Sequence, residues 1–149
     1  MANLITLQQY KNFAGLTGQS EDAKINVIIP AISQAVKTYC GTSFVDYYSS
    51  AKTEYYDIND QYTNAIILDE SPIVSVTSVA ERKKQSDSYT TLVTENSDSS
   101  GKYEYIVDEV ADTIFRTTES GDKMFPQGRK AVKVVYTSGY AATPEDLKL

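Results

Sequence analysis

Three pairs of carboxylates are the residues of this chain best spaced for acid–base chemistry: Asp57 with Asp60, Asp69 with Glu70, and Asp108 with Glu109. Two such groups in one cleft, one protonated and one ionised, are the machinery of many hydrolases. All three pairs fall at predicted strand ends or turns, and they read as solubilising turn residues. The segment "DINDQYTN" (57–64) superficially has the look of a calcium loop, but it lacks the glycine and the distant glutamate of an EF-hand. "SGKYEY" holds a Gly-Lys pair with no phosphate-loop glycine before it, so it is not a Walker motif. Cys40 is the only cysteine and there is no histidine. No intramolecular disulfide, Cys-based metal site, Ser-His-Asp site or Cys-His site can therefore be built within the chain. Cys40 closes an apolar helix face and reads as a small core residue rather than a nucleophile. No catalytic residue, cofactor or metal is expected.

Composition narrows the function classes further. The 149 residues suffice for one domain with a real core, and 41% hydrophobic with 23% charged is ordinary for a globular protein. No apolar run approaches the ~20 residues that cross a bilayer, so no membrane partner is expected. "MANLITLQQYKNF" has neither a basic n-region nor a continuous apolar h-region, and synthesis in the cytoplasm is expected. A net charge of −6 makes the chain as a whole repel phosphate. The short basic run Arg82-Lys83-Lys84 reads as a solvated hairpin tip. Twelve tyrosines with no tryptophan are unusual. Tyrosine suits both interfaces and half-buried strand positions.

The elements that would position these residues are legible in part. Thr6 and Gln9 form a capping box for a helix over Leu7 to Ala14, with Ile5 and Tyr10 as its hydrophobic staple and Gly15 ending it. A second helix is predicted from Glu21 to Cys40, capped by Ser20, with Glu21 and Asp22 at its positive end. Ile25, Ile28, Ile29, Ile32, Ala35, Val36 and Tyr39 form an apolar stripe along it. Pro30 predicts a kink or bulged turn between Asn26 and Pro30, and Gly41 ends the helix. From Phe44 onward the pattern is of short strands: 53–58, 65–69, 73–80, 89–94, 103–107, 113–117 and 131–137. In "IVSVTSVA", Val79 is out of phase with Val74 and Val76, which predicts a β-bulge near Thr77 and Ser78. "ENSDSSGK" (95–102) reads as a polar turn or loop. "TESGDKMFPQG" reads as a longer connection with Met124 and Phe125 tucked against the sheet. Gly139 permits a turn that Tyr140 closes, its ring free to lie on the helices. At the end, Thr143, Pro144, Glu145 and Asp146 are the start signals of a helix.

Helices segregated from strands predict an α+β fold. N-terminal helices (1–42) precede an antiparallel β-rich region (43–140), a small sandwich or barrel-like sheet, and then the start of a C-terminal helix (143–149). One domain, 1–149, is expected.

Three segments in this order resemble tailed-bacteriophage head–tail connector proteins, also called adaptor or head-completion proteins. They are "IIPAISQAVKTYCGTSF" (28–44), "ILDESPIVSVTSV" (67–79) and "FPQGRKAVKVVYTSGYAATPEDLK" (125–148). The first resembles the family's helix with an "A-x-x-x-I-x-x-Y-x-G-x-x-F"-like ending. The second resembles its "L-x-x-x-P-I-x-S-V-x-x-V" strand, and the third its closing strand, Gly-Tyr turn and Pro-x-Asp-Leu. The resemblance covers most of the chain. It implies a non-enzymatic virion protein that forms a ring, dodecameric by matching the portal, between the portal and the stopper or tail-completion protein. Such a ring extends the channel through which double-stranded DNA passes without specific binding. An acidic protein suits that role. The implied location is the head–tail interface of the virion, after assembly in the host cytoplasm. In the family the closing segment leads into a further helix. Here it is expected either to continue in a longer product or to be completed against another subunit.

The resemblance directs attention to interface residues. The outer face of the second helix (Gln34, Lys37, Thr38) and the terminal residues Glu145, Asp146, Leu147 and Leu149 are candidates to meet a neighbour or the portal. Tyr47, Tyr48, Tyr55 and Tyr56 are candidates for a seam between subunits. Arg82, Lys83 and Lys84 are candidates to meet an acidic portal or stopper surface. Two rival readings are a tail-associated module that binds a host surface or carbohydrate through its tyrosines, and an enzyme built on a carboxylate pair.

Overall fold

A computed structural model gives the architecture; it describes residues 1–94 and 103–147. The expected loop over 95–102 and Leu149 lie outside the described residues. Two helices come first, α1 (Leu7–Ala14) and α2 (Asp22–Cys40). Among the described residues eight strands follow: β1 (Lys52–Ile58), β2 (Ala65–Ile67), β3 (Ile73–Glu81), β4 (Thr90–Thr91), β5 (Tyr105–Asp108), β6 (Thr113–Thr118), β7 (Gly121–Asp122) and β8 (Gly128–Ser138). A single 3-10 turn, Glu145–Leu147, stands where the closing helix start was expected. The fold is α+β with antiparallel sheets, and among the described residues these do not close into a barrel.

The helix ends illustrate how local sequence acts. α1 begins with the full capping box: Thr6 Oγ1 accepts from Gln9 N–H and the Gln9 side chain accepts from Thr6 N–H. Gly15 ends it in the left-handed region. α2 differs from expectation in two ways. Its N-cap is Glu21 rather than Ser20, with no side-chain cap bond. The chain enters through a tight turn in which Asp22 N–H bonds Gln19 C=O, and the acidic side chains go instead to Lys24 and Lys11. α2 also continues as α-helix through Pro30, with no bulged turn.

The strands form two sheets, ordered β1-β8-β3-β4 and β2-β6-β5, with β7 paired to β6. β8 is the longest strand and the centre of the first sheet. Val132, Val134 and Tyr136 on its inner face are fully buried, as strict alternation predicts. The β3–β8 register shifts between Val76 and Ser78, the bulge that returns Val79 to the core; a second shift lies between Ile73 and Ser75. The short strand β7, which pairs back onto the end of β6, sits inside the predicted connection, and Phe125 there is buried while Met124 is exposed. One core joins the sheets: Ile66, Tyr105 and Ile114 from one meet Ile58, Val79, Val132 and Tyr136 from the other.

A charged side chain also crosses that core. Arg116 on β6 is fully buried, and its guanidinium meets Glu81 on β3 at two points, Nε–Oε2 and Nη2–Oε1, each 3.0 Å. Its Nη1 donates to the carbonyls of Glu104 and Thr117.

Candidate docking surfaces

The basic hairpin lies at one end of the first sheet, where β3 leaves and β8 begins. Arg82 is half-buried and serves the fold: its guanidinium donates to the carbonyls of Lys130, Arg129 and Gln85 and sits 4.8 Å from the Tyr89 ring centre. Tyr89 Oη donates to Lys130 C=O at 2.6 Å, and its ring lies 6.1 Å from that of Tyr55. Lys130 Nζ stands 5.5 Å over Tyr55. Lys83 and Lys84 are exposed at the tip, which Asp87 closes by accepting from Lys84 N–H. Arg129 and Lys130 belong to the same end, and the sequence reading missed both. Their place beside the hairpin follows from the long-range pairing of β8 with β3, which no local pattern reports.

The second surface is the helical end. The residues of α2 facing inward are Ile25, Ile29, Ser33 and Lys37, a line of four-residue steps. Much of the predicted apolar stripe is therefore uncovered: Ile28 is 54% exposed and Ile32 58%, Ala35 is exposed, and Val27 beside the stripe is 73% exposed. Tyr39 and Cys40 are exposed too, which corrects the expectation that Cys40 is a core residue; both fall off the inward line. The N-terminal arm lies along α2, with Leu4 N–H bonded to Ser33 Oγ. Leu4, Ile5, Ile25, Ile28, Ile32 and Leu147 contribute to an apolar groove of about 420 Å³.

Lys37, expected on the outer face of α2, is buried. Its ammonium reaches both oxygens of Asp46 at 2.8 Å and the Ala2 carbonyl at 2.7 Å. Asp46 also accepts from Ala2 N–H. Burial acts to raise the Asp46 pKa, but these partners outweigh it and the carboxyl titrates below its ordinary value. Gln34 and Thr38 do stand on the exposed face, bonded to each other.

The seam between helices and sheets is polar. Glu70, read from sequence as a solubilising turn residue, is buried and accepts from Thr42 Oγ1, Ser43 N–H and Ser43 Oγ. Lys52 Nζ lies 2.5 Å from Glu54 and 3.3 Å from Glu70. Burial would raise Glu54, but the bonds from Lys52 and Tyr56 leave it depressed; burial would lower Lys52, but Glu54 leaves it raised. Burial and the bond to Glu54 push the Tyr56 hydroxyl far up. Tyr56 thus packs on the core and is not an exposed seam residue. Tyr55 and Tyr48 are exposed; Tyr47 is half-buried, with Lys52 Nζ 5.3 Å from its ring. Tyr140 is exposed and is held by its backbone N–H on Phe44 C=O, not by its ring.

The remaining candidates do not converge on chemistry. Asp60 Oδ1 accepts from Tyr62 N–H and Thr63 Oγ1, and Asp108 Oδ1 from Val110 and Ala111 N–H, each holding its own turn. Asp57 meets Arg129 and Lys130 N–H. Glu145 is exposed, and Asp146 lies within the 3-10 turn. Among the described residues no group of three Cys, Asp or Glu side chains is placed to hold a metal ion.

A sequence model of the head completion protein family matches residues 3–149. The chain belongs to the head completion protein family. Membership supports a structural role in finishing the head of a phage-like particle rather than a catalytic one. No curated protein sequence matches this head completion protein. Among solved structures, a chain from the "neck of empty GTA particle computed with C6 symmetry" is similar in fold, with a TM-score of 0.58 and 15% identity over 94% of this chain and 68% of that one. In a head completion protein, the two surfaces above are candidates for contact with other proteins, and the polar seam fixes how they stand to one another.

Proposed function

We propose that this protein is a structural connector at the head–tail interface of a virion, forming a ring between the portal and the stopper or tail-completion protein and extending the DNA channel. The family match over residues 3–149 carries the reading. The fold shared with a chain of a particle neck is compatible with it. The uncovered apolar residues of α2 support it physically, because a face of that kind is ordinarily covered by another protein.

In this reading a dodecamer forms by matching the portal, and assembly takes place in the host cytoplasm. Gln34, Thr38 and the Glu145–Leu147 turn face a neighbouring copy or the portal, Tyr47 and Tyr48 contribute to the seam between copies, and the Arg82–Lys84 hairpin meets the portal or stopper. The net charge of −6 lets double-stranded DNA pass without being gripped.

Co-sedimentation of the purified protein with portal from the same genome neighbourhood tests the contact. Saturable co-sedimentation, lost when Ile28 and Ile32 are both changed to Asp, is the expected result. Absence of co-sedimentation by the folded wild-type protein would turn attention to a tail-associated binding module, to be screened against glycans.

A further inference from the structure

We infer that the hairpin end of the first sheet is a preformed cation–aromatic patch that takes an acidic polypeptide surface, with Lys83, Lys84, Arg129 and Lys130 as the contacting cations and Tyr55 and Tyr89 as its floor. This deepens the hairpin contact proposed above and rests on it, but not on ring formation.

Charge distribution is the first argument. The patch holds five cations with Arg82 and two carboxylates, Asp57 and Asp87, a balance of +3. The whole chain stands at −6, so the remainder stands at −9. Of the seven other cations described, Lys11, Lys24, Lys37, Lys52 and Arg116 are each paired with a carboxylate, and Lys123 and Lys133 are not; within the patch, Arg129 shares Asp57. The largest cluster of positive charge described thus lies at one end of an acidic protein, which favours one orientation of approach.

Preorganisation is the second. A flexible lysine tip loses much of its binding energy to ordering. Here Arg82 locks the hairpin to β8 through the carbonyls of Lys130 and Arg129 and braces the hairpin itself through that of Gln85, and Tyr89 Oη adds a bond to Lys130 C=O. Arg82 over Tyr89 and Lys130 over Tyr55 hold cations against ring faces. The hairpin backbone and the aromatic floor are therefore ordered before a partner arrives, and only the Lys83 and Lys84 side chains are left to order.

The class of partner follows from the carboxylates within the patch. Asp57 and Asp87 interrupt the positive surface, which disfavours the continuous phosphate track of a duplex. A protein surface with separated carboxylates can meet the lysines and avoid both aspartates.

Binding of labelled poly-L-glutamate and of a short DNA duplex, measured by fluorescence anisotropy across a salt series, tests the patch without any portal or ring. The full chain is compared with the Lys83→Glu/Lys84→Glu and Lys83→Gln/Lys84→Gln variants, whose exposed positions should leave the fold intact, with circular dichroism as the check. The expected result is salt-sensitive binding of poly-glutamate, weakened about tenfold by charge reversal and less by neutralisation, with weaker binding of DNA. No binding of poly-glutamate by the wild type, or equal binding by the charge-reversed variant, would overturn the inference. Tighter binding of DNA through the same lysines would overturn it in favour of a nucleic-acid surface.

Discussion

Arg116 and Glu81 form a two-point ion pair that ties the two sheets together through the core. Every guanidinium nitrogen of Arg116 has an acceptor, so the charge is buried without being left unpaired. Breaking one side is far costlier than removing both charges. Glu81→Ala should therefore destabilise the protein by about 3–5 kcal/mol in urea unfolding, while Arg116→Met combined with Glu81→Leu should cost much less.

Gly139 passes so close to the loop after α2 that a Cβ there would lie 2.1 Å from Phe44 C=O, and its φ is +91°. Gly139→Ala should cost more than about 2 kcal/mol by clash and backbone strain together. Gly18 has no atom within 4 Å of a Cβ, and Gly18→Ala should be neutral or slightly stabilising. Paired thermal melts compare the two.

Stability should fall in acid through the depressed carboxyls. A group whose folded pKa lies below its unfolded value contributes stability above the unfolded value and loses it as pH falls through the folded one. Asp46 and Glu54 are both depressed, from ordinary values of 3.8 and 4.5. The loss should begin below about pH 4.5 and deepen beneath it. Asp46→Asn leaves Lys37 buried without its counter-charge; it should be destabilised at neutral pH and show a shallower decline in acid. Urea midpoints across the acid range report both effects.

Much of the fold was legible because it is written in local spacing. The Thr6–Gln9 capping box, the alternation of Val132, Val134 and Tyr136, and the bulge before Val79 each follow from residues a few positions apart. What escaped notice depends on pairing at long range. Arg116 reads as an ordinary polar position in "TIFRT", and only the packing of one sheet on the other brings Glu81 to it. Lys37 and Glu70 look like surface residues until Asp46, Thr42 and Ser43 are folded back on them. The α2 stripe was legible as apolar, but which part of it is covered is decided by the N-terminal arm.

The exposed part of that stripe separates folding from association. Ile28→Asp with Ile32→Asp should leave the unfolding free energy within about 0.5 kcal/mol of the wild type, because both side chains are more than half exposed. The same pair should abolish contact with the portal. Unfolding curves and co-sedimentation on one preparation check both halves.

The most direct test of the connector reading is electron microscopy of the purified protein mixed with its portal. A ring stacked coaxially on the portal, with symmetry matching it, is the predicted result. Portal particles that carry no added density, at concentrations where the protein is folded and in excess, would contradict it.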